Sequence, residues 1–207
     1  MTHFTDLGCG CGQLVVQTAW LCPWLESLSG YEILPELCDL ARAAISRADG
    51  TMHTAEDEAF QDAMETFRMQ HELKTATAAA AALSDRAVVH AEDFLLHAAA
   101  WLPTTNLLYC CATAFSEKLR RSLFTLITRG TKVAEAGSAA GTRIQLPVGA
   151  IVVVVSYPIP ADLNYSGSFS LLHTVNAEMS WGPSVVYVYR KIHARTAENN
   201  ILRAFRK

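Results

Sequence analysis

The chain has 207 residues, 51% of them apolar and 18% charged, which suits one α/β domain with a sizeable core and excludes a disordered protein. Its formal net charge of −3 gives no global attraction to nucleic acid, so no sequence-specific nucleic-acid contact is expected. Cys9, Cys11, Cys22, Cys38, Cys110 and Cys111 stand at spacings that fit neither a disulfide framework nor a zinc site, so they read as reduced intracellular thiols used as small apolar residues, with no metal.

Met1 to His3 leads straight into a first strand, leaving no room for a signal peptide, and no run of about eighteen apolar residues follows, so a soluble protein off the membrane is expected. His3 to Leu7 reads as a short buried strand that enters Gly8-Cys9-Gly10-Cys11-Gly12. Gln13 to Leu25 then reads as a helix that Pro23 limits. In this strand, turn and helix the glycines permit φ > 0 and let a ligand reach backbone amides and the helix N-terminus. Asp6 stands just before the first glycine. Glu32 lies in the second strand, Gly30 to Ile33, about twenty residues on, a spacing suited to holding ribose hydroxyls. The pattern Asp-x-Gly-x-Gly-x-Gly sets a carboxylate close to the turn, where it repels a pyrophosphate and suits a cation.

Pro35 lies in the first turn of a second helix that Gly50 ends. An added helical segment, about 54–83, opens with Thr54-x-x-Asp57, carries Phe60, Met64, Phe67 and His71 at helical spacing, and closes on an alanine-rich run. Ala87 to Ala91 is the third strand, with Glu92-Asp93-Phe94 at its tip, and Leu107 to Cys111 is the fourth. Ala112 to Phe115 follows, then a helix from Ser116, its N-cap, to Thr128. The segment at about 130–149 is rich in Gly, Ala, Ser and Thr and reads as a mobile loop. Ala150 to Ser156 is an unbroken, mostly β-branched run typical of a central strand, and Ser170 to Ala177 with Val185 to Lys191 fits an antiparallel closing pair. The predicted fold is a single domain over 1–207. It is a Rossmann-like, seven-stranded α/β sheet, mostly parallel with an antiparallel closing strand, and helices on both faces. From Arg190 to Lys207 six Lys/Arg face one Glu, a local +5 that reads as a solvated helix end.

The glycine turn with Asp6 and Glu32 resembles motif I and the second-strand acid of the class I S-adenosylmethionine-dependent methyltransferases. The wider set looks like the disruptor-of-telomeric-silencing family, the histone lysine methyltransferases without a SET domain. It comprises Asp6-Leu7-Gly8-x-Gly10-x-Gly12-Gln13, Gly30-Tyr31-Glu32, Glu92-Asp93-Phe94, Cys110 to Phe115, and Ser180-Trp181-Gly182. This resemblance implies S-adenosyl-L-methionine as cofactor, a histone or nucleosome as partner, and a nuclear location, with a cytoplasmic one otherwise. Asp6, Gly8 and Gly10 would face the methionine part of the cofactor, with Gln13 following the turn. Glu32 would bind the ribose, Asp93 and Phe94 the adenine, and Phe115 would line the methyl-transfer pocket. Trp181 and Tyr187 would wall the lysine channel, although both also read as core aromatics.

Two departures stand against that likeness. Cys111 replaces the family's Asn, whose amide orients the incoming amine, and a thiol is a weak acceptor. The segment that in the family precedes the first strand and closes over the cofactor has almost no counterpart here. Two other readings therefore stay open: a cofactor-binding but catalytically degenerate relative, and a small-molecule methyltransferase.

Overall fold

A computed structural model describes residues 2–50, 82–133, 142–164, 167–179 and 181–193. The chain divides into two compact units, Met1–Asp93 and Phe94–Lys207.

In the first unit the elements are β1 (His3–Leu7), α1 (Gln13–Leu21), β2 (Ser27–Glu32), α2 (Pro35–Gly50), α3 (Leu83–Arg86) and β3 (Ala87–Ala91). The strands lie in the order β3-β2-β1 and pair in parallel, with Phe4 opposite Leu28 and Leu28 opposite Ala87. Parallel strands need a crossover, and α1 supplies one between β1 and β2. Phe4, Thr5, Asp6 and Leu7 are all buried, as in a parallel strand covered on both faces.

Two element boundaries differ from the sequence reading. α1 ends at Leu21 rather than Leu25. Cys22 caps it, its amide donating to Thr18 O at 2.8 Å, because the residue before a proline is pushed out of the α region. β2 begins at Ser27 rather than Gly30, since Ser27, Leu28 and Ser29 also pair with β1. Most of the added helix at about 54–83, including Phe60, Met64, Phe67 and His71, lies outside the described residues, and Leu83 opens α3.

The second unit contains α4 (Ala98–Trp101), β4 (Leu107–Cys111), a 3-10 turn (Ala112–Ala114), α5 (Glu117–Arg129), β5 (Thr131–Val133), β6 (Thr142–Ile144), β7 (Ile151–Val155), β8 (Phe169–Met179) and β9 (Gly182–Lys191). Its main sheet has the order β4-β7-β9-β8, in which β4 and β7 are parallel and β9 runs against both β7 and β8. These strands and the three of the first unit are the seven of a mostly parallel Rossmann-like sheet with an antiparallel strand near its end. Ser116 caps α5 as its sequence indicates, accepting from the Leu119 amide at 3.2 Å. Part of the stretch read as a mobile loop is ordered: Thr131–Val133 and Thr142–Ile144 pair antiparallel. Both closing strands are longer than their predicted ranges because antiparallel pairing, with one register shift between Leu171 and His173, carries the hairpin out to Met179 and Gly182. Among the described residues no helix is long and apolar enough to cross a membrane.

Candidate cofactor site

The first unit builds its site where β1 and β2 end. The amides of Gly8 and Cys9 both donate to Tyr31 O, at 2.8 and 3.0 Å, and so strap the glycine turn to the tip of β2. Two of the glycines have different duties. A Cβ on Gly12, where φ is +76°, would stand 2.8 Å from Ala41 Cβ, so this position lets α1 pack against α2. Gly10, at φ +55°, has no atom within 4 Å of where its Cβ would be, leaving its surroundings open to a ligand. The Cys9 side chain turns inward, since a Cβ on Gly30 would meet its sulfur at 2.6 Å. Burial, then Asp6 and Glu32, push its thiol far above the usual range, which keeps it a neutral packing group.

Glu32 is the centre of the arrangement. One carboxylate oxygen accepts from the Ile33 and Leu34 amides at 2.8 and 3.0 Å, and the other from Gly10 N at 3.0 Å. A carboxylate has about four lone-pair sites, so one remains for a ligand hydroxyl. Asp6 is 3% exposed, and burial followed by the nearby Glu32 raises its pKa to about 7. Such a group is largely protonated below about pH 7 and ionises more readily once a cation approaches. Gln13 opens α1 and is exposed, and Asp93 is half-buried just beyond β3.

The other candidates belong to the second unit. Phe94 is buried and stacks on Phe115, with centroids 5.8 Å apart and planes 25° from parallel. The Trp101 indole donates to Phe94 O at 2.9 Å and fixes that segment. Cys111 ends β4. Its sulfur lies 3.5 Å from Thr113 Oγ1, which is 2.6 Å from Ser156 Oγ. Trp181 is 53% exposed at the β8–β9 turn and donates to Ser184 Oγ at 3.1 Å, while Tyr187 is half-buried in β9 opposite Val154 and Thr174. Ser180 lies outside the described residues. The sequence reading passed over Thr113 and Ser156, whose one signal was a hydroxyl just past each of two strands. Among the described residues no group of His, Cys, Asp and Glu is placed to hold a metal ion.

Solved structures of methyltransferases share this architecture. The chain has a Rossmann-like methyltransferase fold. TrmN from Thermus thermophilus is similar over 92% of the chain and 44% of its own length, with a TM-score of 0.55 and 16% identity. The StiE O-MT, residues 961–1257, matches 98% of the chain and 72% of its own length, with a TM-score of 0.56 and 13% identity. Magnesium protoporphyrin IX methyltransferase (ChlM) from Synechocystis PCC 6803, a structure with bound SAM, matches 91% of the chain and 69% of its own length, with a TM-score of 0.50 and 10% identity. At these identities what is shared is the fold, and the chain spans less than half the length of TrmN. No protein-family model and no curated protein matches the chain.

Proposed function

We propose that the chain is an S-adenosylmethionine-dependent methyltransferase acting on a protein lysine amine. One observation carries the cofactor reading: a buried Asp6 with its pKa raised to about 7 stands beside a Glu32 carboxylate bonded to the amide of Gly10, at an open glycine turn. That anionic turn repels a pyrophosphate and favours a ligand with an ammonium and a sulfonium. In this reading Asp6, Gly8 and Gly10 hold the methionine part, Gln13 follows the turn, and the remaining lone pair of Glu32 takes a ribose hydroxyl. Asp93 and Phe94 take the adenine, and Phe115 lines the methyl-transfer pocket.

Bound S-adenosylmethionine supplies a sulfonium methyl to a neutral nucleophile attacking in line. The protein's part is therefore positioning and exclusion of water. Trp181 and Tyr187 are the aromatic walls proposed for a lysine channel, where a dry environment favours the neutral amine. The resemblance to the non-SET histone enzymes supports a histone or nucleosome as partner and a nuclear location. A second reading, cofactor binding without transfer, draws on Cys111, which offers no side-chain carbonyl.

Thermal unfolding with S-adenosylmethionine and with its demethylated product tests the cofactor reading. Stabilisation should follow RT ln(1 + [L]/Kd), about 2.7 kcal/mol at a hundredfold excess over Kd, and Glu32→Ala should remove it. A wild type that neither ligand stabilises would refute the proposal. Stabilisation without transfer to core histones, other protein or small-molecule acceptors would leave the second reading standing.

A further inference from the structure

The side chains at the ends of β4 and β7 form a hydroxyl pair that the reading above does not use. β4 and β7 are parallel neighbours, with Cys111 opposite Val155, so Thr113 and Ser156 each lie just past the C-terminal end of their strand. In open α/β sheets that edge is where ligands bind. Ser156 has φ +74° and is the one non-glycine residue at positive φ among the described residues. Its amide donates to Val185 O at 2.8 Å, and its hydroxyl meets Thr113 Oγ1 at 2.6 Å. A side chain at positive φ is sterically disfavoured, and such positions concentrate at binding sites. A glycine would hold this turn without strain; what a serine adds is its hydroxyl.

We propose that Thr113 and Ser156 form the acceptor-orienting site and that it takes a neutral amine. The proposal rests on the methyltransferase reading and supplies the hydrogen-bond acceptors that Cys111 lacks. With one O–H···O bond between the two hydroxyls and the Cys111 thiol 3.5 Å from Thr113 Oγ1, at least two lone pairs remain whichever atom donates, so the pair can accept both N–H groups of a primary amine. The amine's own lone pair then stays clear for the methyl. As the N–C bond forms, the C–S bond breaks, its electron pair remains on sulfur, and the surplus proton of the methylammonium product passes to solvent. A hydroxyl nucleophile would need a base during attack. Among the described residues, no histidine or carboxylate hydrogen-bonds to Cys111, Thr113 or Ser156. The pair thus selects for N-methylation.

The test uses the full chain with labelled S-adenosylmethionine and three acceptors: core histones, spermidine and catechol. Methylation of at least one amine probe and not of catechol is expected. Thr113→Val and Ser156→Ala should each lower kcat about a hundredfold, the scale of a misplaced nucleophile, while the thermal shift given by S-adenosylmethionine is retained. Thr113→Ser, which keeps the hydroxyl, should restore most of the turnover. Ser156→Gly is the sharpest variant: it should raise Tm by about 2–4 °C through relief of strain and still lose turnover. Unchanged kcat in Thr113→Val or Ser156→Gly would overturn the proposal, as would methylation of catechol alone or of none of the three, even with the cofactor shift intact. No cofactor shift in the wild type would bring down the methyltransferase reading, and this proposal with it.

Discussion

Asp6 ties cofactor binding to pH. Burial and Glu32 raise its pKa to about 7, whereas a bound cation stabilises the carboxylate and lowers that value. Binding therefore releases a proton below about pH 7, and affinity for S-adenosylmethionine should climb as pH rises from 5 toward 7 and then level off. Calorimetry in two buffers of different ionisation enthalpy reads the released proton directly. Asp6→Asn should bind more weakly and show neither the climb nor the release. The glycines make a second pair of residue-scale tests. Gly12→Ala drives a Cβ to within 2.8 Å of Ala41 at φ +76°, so denaturant unfolding should show a loss of about 2–3 kcal/mol. Gly10→Ala meets no atom and should cost only about 1 kcal/mol for its φ, while reducing cofactor affinity by occupying the open side of the turn.

At the scale of elements, Arg86 holds the first unit's topology together. From the end of α3 its guanidinium donates to Ala19 O and Leu25 O, both at 2.9 Å, and lies 3.4 Å from Pro23 O, so it satisfies carbonyls that the early end of α1 exposes. Hydrogen bonds to a charged donor are worth about 1.5–3 kcal/mol. Arg86→Ala should therefore lower unfolding stability by about 2–3 kcal/mol, with Arg86→Lys recovering part of it because an ammonium cannot fork across three carbonyls. This contact also marks where sequence legibility ends. The β-branched run at β7 and the proline at the start of α2 announced their elements because each signal is local. The truncation of α1 had a local signal in Pro23, whereas the role of Arg86 was not readable, since Arg86 reaches residues 61 to 67 positions away. The site divides likewise. Asp6 and Glu32 belong to a compact strand-turn-helix pattern that a sequence displays openly. Thr113 and Ser156 are 43 residues apart and meet only through the register of β4 on β7.

For the molecule as a whole, two buried ionisable groups shape stability against pH from opposite sides. Lys191, in β9, is 1% exposed; its Nζ donates to Gln145 Oε1 at 3.1 Å and lies 5.7 Å from the Phe169 ring centroid. Burial lowers its pKa from 10.5 to about 8, so its contribution is fully present above 10.5 and is lost as pH falls through about 8. Asp6 behaves in the opposite sense. Its folded pKa of about 7 lies above the ordinary 3.8, so its contribution is fully present below 3.8 and is lost as pH rises through about 7. Between about pH 7 and 8 the protein carries both unfavourable buried charges, Asp6 ionised and Lys191 still largely protonated. Urea unfolding at a series of pH values should then show the wild type gaining stability from pH 8 to 10, beyond what Lys191→Met gains. Lys191→Met replaces the ammonium with an apolar chain of similar length and should flatten only that alkaline rise. Asp6→Asn should flatten only the decline between about pH 4 and 7, and the double variant should lose both slopes. An alkaline rise that survives unchanged in Lys191→Met would show that another group carries it, against the burial that assigns Lys191 a lowered pKa.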